Sequence, residues 1–302
     1  MQQPSSSNPQ ATKDKDHDYA IDFILSILFA SLKSFKGESL LKPLPNFVAS
    51  VEQLVNCHDQ IRFPPIRSMV NSAESLNFID WITLLAEKLE VKPFDKKFFL
   101  DFSGLSNVKQ SPQFIVKLKN PRMSSKFEDL TETHGNLIGF HGTHTENVFS
   151  ILQNGLVGHL NTRALYGSGT YLSSDIDVAL SFAKQGKSWP SSRICRNMTC
   201  VLMCKVINSD QVKQGKEKLS GISFNNNPLP HNYYVVKNND HVAVTHVLIY
   251  SSKQRIPSSL KAESRLLVFI RCYGFVLLYG LVIVFICLSS NGVLKKWIKK
   301  FM

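Results

Sequence analysis

Nothing in these 302 residues supplies a complete dinucleotide fingerprint, a nucleophile elbow, a zinc-ligand spacing, an internal repeat or a basic leader. Each lack removes a class of function. Around Gly167 and Gly169 a Gly-x-Gly-x-x-Gly fingerprint needs a third glycine, but Leu172 stands there. No Gly-x-Ser-x-Gly turn or comparable Cys setting accompanies the histidines, which sets aside a serine or cysteine hydrolase. Six cysteines give no disulfide framework in a chain this long. Thr199 to Val206 reads as a strand with Cys200 and Cys204 on one face. Together with Cys195 they match no common zinc pattern, so core thiols are expected and no metal. The apolar stretch from Phe23 to Ser31 follows Asp14, Asp16, Asp18 and Asp22 against only Lys13 and Lys15, where a secretory signal needs net positive charge.

What is present is a chain with 43% apolar residues, long enough for one sizeable domain and a further module. Residues 1–17, rich in Gln, Ser, Asn, Asp and Lys, have almost nothing to bury and are expected to form a disordered tail. Over 18–95 the period turns helical. Ala20, Ile21, Ile24, Ile27, Leu28 and Phe29 make one apolar face, and Leu76, Phe78, Ile79, Trp81, Ile82, Leu84, Leu85 and Leu89 another. Pro43, Pro45, Pro64 and Pro65 interrupt the two. Residues 96–258 are expected to form the principal domain and 259–271 a linker.

Cys272 to Ser290 is an uncharged run of nineteen residues. As a helix it would be about 29 Å long, close to the hydrocarbon thickness of a bilayer, and it is expected to span a membrane once. Cys272 and Cys287 within it are small packing residues or acylation sites. Twelve residues follow, 291–302, which describes a tail anchor with the bulk of the chain in the cytosol and a short basic lumenal tail. Lysines and arginines flank both ends, so charge alone does not set the orientation. Of the formal +12, +6 falls within residues 261–302, which makes membrane headgroups a better partner than nucleic acid. Asn197-Met198-Thr199 is a glycosylation sequon, to be left unmodified on a cytosolic domain.

The richest segments are Phe140-His141-Gly142-Thr143 and Gly167-Ser168-Gly169-Thr170-Tyr171. The first reads as a strand, Leu137 to His141, feeding a helix. Thr143 and Glu146 would form a capping box there, and Gly155 would end the helix. The second repeats the plan: a strand from Thr170 to Ser173, then Ser174 capping a helix that carries Ile176, Val178, Ala179, Leu180 and Phe182. His141 and Tyr171 thereby sit on two short strands and suggest a cleft for a nicotinamide nucleotide.

With His-Gly-Thr on one strand, Asn154-Gly155-Leu156 after the next helix and Gly-x-Gly-x-Tyr on the following strand, the stretch from Pro112 to Tyr250 resembles the poly(ADP-ribose) polymerase-like ADP-ribosyltransferases. The resemblance implies an α+β fold: a helical N-terminal module, a split and mostly antiparallel sheet framing an NAD cleft, and here one C-terminal transmembrane helix. It implies NAD as co-substrate, with His141 donating to a ribose hydroxyl, Gly142 meeting the carboxamide and Thr143 completing the triplet. Tyr171 and Phe182 would cover the two faces of the nicotinamide ring. Ala179 replaces a family serine, so one hydrogen bond to the carboxamide is missing.

The family's third catalytic position aligns with Tyr233, and a one-residue slip would bring Asn232 or Tyr234 there instead. No register supplies the Glu of polymerising members. A tyrosine, with an ordinary pKa of about 10, is a poor base at neutral pH, so transfer of a single ADP-ribose is expected. Length, helices and anchor together resemble the family's tail-anchored endoplasmic-reticulum mono-ADP-ribosyltransferase. That likeness implies residence in this membrane and its nuclear-envelope extension, self-modification, and stress-signalling membrane proteins as acceptors. The rival reading is a membrane-tethered pseudoenzyme or adaptor that binds NAD or ADP-ribose.

Overall fold

The computed structural model describes residues 9–61, 72–105, 108–121, 123–158, 166–215 and 229–251. Helix α1 (Pro9–Leu32) comes first. From Ala20 to Leu28 every residue of it is buried, Asp22 and Ser26 included, as in a helix that runs through a core rather than over one. The short α2 (Gly37–Leu40) leads to α3 (Val51–Gln60) and α4 (Ala73–Glu87). Ser50 and Ser72 cap the last two by accepting from the backbone N–H groups of Gln53 and Ser75. Strand β1 (Leu89–Pro93), α5 (Lys96–Ser103) and β2 (Phe114–Leu118) follow, then α6 (Ser125–His134), β3 (Asn136–Gly142) and α7 (Thr145–Asn154). The remainder is β4 (Thr170–Ser173), α8 (Ile176–Phe182), β5 (Gly186–Lys187), β6 (Asn197–Ile207), β7 (Val212–Gln214), β8 (Tyr233–Val236) and β9 (Val242–Ser251).

The strands form one sheet in the order β1-β2-β9-β6-β3-β4-β8-β7, with β5 also on β6. Every strand pairing among the described residues is antiparallel. Alternation along β6 feeds two cores. Met198, Cys200, Leu202, Cys204 and Val206 join α1, α4 and α7 on one face. Val201 and Met203 join Phe99 of α5, Phe140, Ile176 and Ala179 on the other. The mixed helix and antiparallel-sheet architecture is thus the one expected.

Several details differ from the sequence reading. Helix α1 starts at Pro9, inside the segment expected to be a disordered tail. Extending a helix already nucleated by its buried half requires far less than starting one. Leu89–Pro93, within the stretch expected to be helical, pairs with β2 from Leu89↔Leu118 to Pro93↔Phe114. Leu89 and Val91 are buried on that strand while Glu90 is only partly so, a change of period from 3.6 to 2 at Lys88. The capping box does not form. His144 is the N-cap residue of α7 without a side-chain cap bond, and the Thr143 hydroxyl accepts from Asn147 at 3.1 Å. Asp175, not Ser174, caps α8, accepting from the Asp177 N–H at 2.8 Å. Gly155 does end α7, at φ 79°.

No helix among the described residues is long and apolar enough to cross a membrane. The span expected at Cys272 to Ser290 lies outside them, as do the linker 259–271 and the tail 291–302.

Candidate active site

Strands β3 and β4 share a single register pair, Phe140↔Ser173, and then part. His141 lies at the split. Its Nδ1 stands 2.8 Å from the Tyr171 carbonyl oxygen, which can only accept, so Nδ1 carries the proton. Burial holds the imidazole pKa below its ordinary value, against the smaller opposing effect of that hydrogen bond. A neutral ring with its proton on Nδ1 leaves Nε2 as a bare acceptor. In this tautomer Nε2 is able to accept from a hydroxyl group.

Tyr171 is held from two directions. Its carbonyl accepts a hydrogen bond from His141 Nδ1, while its phenol oxygen accepts from the Tyr166 N–H at 2.8 Å and donates to the Gly167 carbonyl at 2.7 Å. Gly167 has φ 105°, open to glycine and strained for other residues, and this turn brings its carbonyl back over the phenol. With its hydroxyl so engaged, Tyr171 offers a fixed ring face.

Across the sheet β8 pairs with β4, and Ser173↔Tyr233, Leu172↔Tyr234 and Tyr171↔Val235 face each other. Directly opposed residues share a face. Tyr233 therefore lies on the face of Tyr171, whereas Tyr234 packs with Leu172 against the core on the other. The Asn232 carbonyl accepts from the Ser174 N–H and the Ser173 hydroxyl, at 2.9 and 2.8 Å. Burial, and secondarily Tyr166, push the Tyr233 phenol above its ordinary pKa, further from acting as a base.

Gly142 ends β3 against α8. A Cβ there would lie 1.8 Å from the Ala179 carbonyl oxygen, so only glycine permits this approach. Ala179 is buried at 3% exposure, which places the missing hydroxyl beside Gly142. Thr143 is also buried, with its hydroxyl on Asn147 and its carbonyl on the Lys184 N–H, so it serves the turn into α7. Phe182 is 58% exposed at the end of α8 and makes no ring contact among the described residues. It stands open rather than closed over Tyr171.

The structure adds residues that the motifs did not indicate. The Tyr166 ring lies 6.4 Å from both the Tyr171 and the Tyr233 ring centroids. Lys213 Nζ donates to the Tyr166 carbonyl at 3.3 Å. Thr145, at the start of α7, donates from its hydroxyl toward the carbonyls of Lys184 and Met198, at 3.0 and 2.9 Å, and so joins the far end of the α8 segment to β6. An aromatic residue directly before Gly167 was the only local sign of Tyr166, and nothing local marked Lys213 or Thr145.

His144 lies 3.8 Å from Glu146, and His159 is outside the described residues. Cys195, Cys200 and Cys204 are buried free thiols whose pKa values burial raises, so they stay protonated. Among the described residues no group of three or more His, Cys, Asp or Glu could hold a metal. A pocket of about 240 Å³ beside Ser124, Asn154 and Asn239 shares no residue with the His141, Tyr171 and Tyr233 group.

Residues 105–223 match the poly(ADP-ribose) polymerase catalytic domain, a stretch that includes His141, Tyr166 and Tyr171 but ends before Tyr233. The chain is 28% identical to the mouse protein mono-ADP-ribosyltransferase PARP16 over 297 residues, covering 90% of this chain and 89% of that protein. It is 28% identical to human PARP16 over 260 residues, covering 78% of this chain and 80% of the relative. Human protein mono-ADP-ribosyltransferase PARP8 is 29% identical over 173 residues, 47% of this chain and 18% of that protein.

Proposed function

We infer from the match of residues 105–223 to the poly(ADP-ribose) polymerase catalytic domain that the chain is an NAD-dependent protein mono-ADP-ribosyltransferase. The observation that carries the reading is the bond from His141 to the Tyr171 carbonyl at the split between β3 and β4, which sets an imidazole acceptor beside a fixed aromatic face. Nε2 of His141 accepts from a hydroxyl of the nicotinamide ribose, and the Gly142 backbone meets the carboxamide. Tyr171 supports one face of the nicotinamide ring, and the exposed Phe182 is free to cover the other. Nicotinamide leaves with the electron pair of its bond to the anomeric carbon. A nucleophilic acceptor side chain then forms the new bond there and yields any proton it carries to solvent.

Tyr233 supports single transfer. It shares the face of Tyr171, and its raised pKa keeps it protonated, so no base draws a proton from the hydroxyl of a bound ADP-ribose. Acceptors of this kind are proteins, the chain itself among them. We place the domain on the cytosolic face of the endoplasmic-reticulum membrane, anchored by Cys272 to Ser290, on the support of that run's length and lack of charge and the likeness to PARP16.

The test is transfer of label from NAD marked in its adenylate half. The parent chain should label itself, with one ADP-ribose per modified site by mass. His141→Ala and Tyr171→Ala, shown to be folded by their thermal melts, should lose at least about a hundredfold in rate, as expected when positioning groups are removed. Binding of NAD by the parent chain without transfer would sink the enzyme. It would favour the binding-module reading, which the alanine at 179 and the tyrosine at 233 motivate.

A further inference from the structure

Tyr166 has no place in the roles assigned above, yet four contacts fix it. Its N–H donates to the Tyr171 phenol at 2.8 Å, and its carbonyl accepts from Lys213 Nζ at 3.3 Å. Its ring stands 6.4 Å from the ring of Tyr171 at an interplanar angle of 42°, and 6.4 Å from that of Tyr233 at 57°. Tilted rings at such separations lie within the range of favourable aromatic pairing. The Tyr166 side chain is half-buried and lies on a turn rather than in a helix or strand.

The consequence follows from where the ring lies. Tyr171 offers the face expected under nicotinamide, and Tyr233 occupies the position where an acceptor is handled in polymerising relatives of this fold. Tyr166 is the ring that contacts both, at 6.4 Å from each. Each of the three rings is half-buried, so the group offers apolar carbon as well as hydroxyls at the surface of the site. The oxocarbenium-like carbon left by nicotinamide is captured by any nucleophile within reach, water included. With no charged base at position 233, exclusion of water is the means left for directing ADP-ribose to protein.

We propose that Tyr166 is a specificity-determining residue of the transferase site, whose ring, in contact with both Tyr171 and Tyr233, keeps water from the anomeric carbon and so favours transfer to a protein nucleophile over hydrolysis. In both outcomes nicotinamide departs with the electron pair of the glycosidic bond. In transfer the acceptor's oxygen or nitrogen forms the new bond; in hydrolysis water forms it and releases a proton to solvent, giving free ADP-ribose. The proposal rests on the transferase reading.

The experiment uses the full chain in membranes with NAD labelled in the adenylate half, and counts protein-bound ADP-ribose, free ADP-ribose and nicotinamide together. Tyr166→Ala should raise the ratio of free to protein-bound ADP-ribose about tenfold, with nicotinamide release within about threefold of the parent. Tyr166→Phe, which keeps the ring, should keep the parent ratio. Tyr166→Leu keeps bulk without the ring face and guards against a misfolded alanine variant; it should shift the ratio in the same direction as alanine. An unchanged ratio in both the alanine and leucine variants overturns the proposal, as does an equal fall of both products, which is the mark of a merely structural residue. Failure of the transferase reading is distinguishable, because the parent chain itself would then release no nicotinamide and label no protein.

Discussion

A neutral His141 suits the charge that develops during the reaction. Departure of nicotinamide leaves positive character at the anomeric carbon, which an adjacent imidazolium would oppose. Burial disfavours that imidazolium, so its protonation is displaced to more acidic pH than the ordinary value of about 6.5. The expected kcat/KM profile is flat for this group between about pH 6.5 and 8, falling only below. A break near pH 7.5 that vanishes in His141→Gln would contradict it. The same burial affects stability. His58, His141 and His246 are held below their ordinary values, His246 at about 4, chiefly by desolvation. In that window the unfolded chain binds more protons, so their contribution is complete above about pH 6.5 and is lost as pH falls toward their lowered values. Asp22 works in the opposite sense, since burial raises its carboxyl and its charged form costs stability as pH rises. Denaturant melts from pH 8 to 5 should show declining stability, and a smaller decline in His246→Asn.

At the level of elements, the site depends on α8 lying flat against the end of β3. That contact is set by Gly142, where a methyl group would meet the Ala179 carbonyl at 1.8 Å. Backbone on both sides leaves no flexible side chain to yield. Gly142→Ala should therefore destabilise by about 3 kcal/mol, the upper range for overpacking, and weaken NAD binding by displacing α8. A melt and an NAD titration on the same variant check this; parent-like values in both would show that the contact is slack. The turn at Gly155 and the strand from Thr170 to Ser173 were legible in sequence because glycine punctuation and period-2 alternation are local signals. The caps were not. Whether Thr143 or His144, Ser174 or Asp175, ends the preceding turn depends on the angle at which the helix leaves the strand, which packing sets.

On the scale of the whole molecule, the N-terminal helices share one hydrophobic core with the sheet that carries His141 and Tyr171. Phe23 and Leu28 of α1 share one cluster with Cys200 and Leu202 of β6. Asp22, fully buried, accepts from the backbone N–H groups of Arg193 and Ile194, while Ser31 donates to the Glu146 carbonyl at 2.6 Å. Asp22→Ala should cost about 1–3 kcal/mol, since it leaves the Arg193 and Ile194 N–H groups without their acceptor, or roughly 2–12 °C in Tm. Transferase activity should fall with the folded fraction; an unchanged Tm would show that the helix is not clamped there. The proposed anchor makes a separate prediction. In microsomes a glycosylation sequon introduced after Ser290 should be modified, while Asn197 in β6 stays unmodified. An endoglycosidase-sensitive mass at Asn197 would place the domain in the lumen.

By itself the sequence determined the strand-helix plan around His141 and Tyr171 and the motif spacing on which the proposed chemistry rests, because these residues and the glycines beside them lie along one stretch of chain. It also determined that no Glu stands at residues 232–234, whichever of them faces the site. Only the tertiary structure decided that Tyr233 rather than Tyr234 faces Tyr171, since that follows from pairing between β4 and β8, strands some sixty residues apart. The tautomer of His141 and the placement of Tyr166 were decided there too. Each is fixed by hydrogen bonds and ring contacts between segments separated in sequence, and side-chain chemistry on one segment does not specify which group from another will meet it.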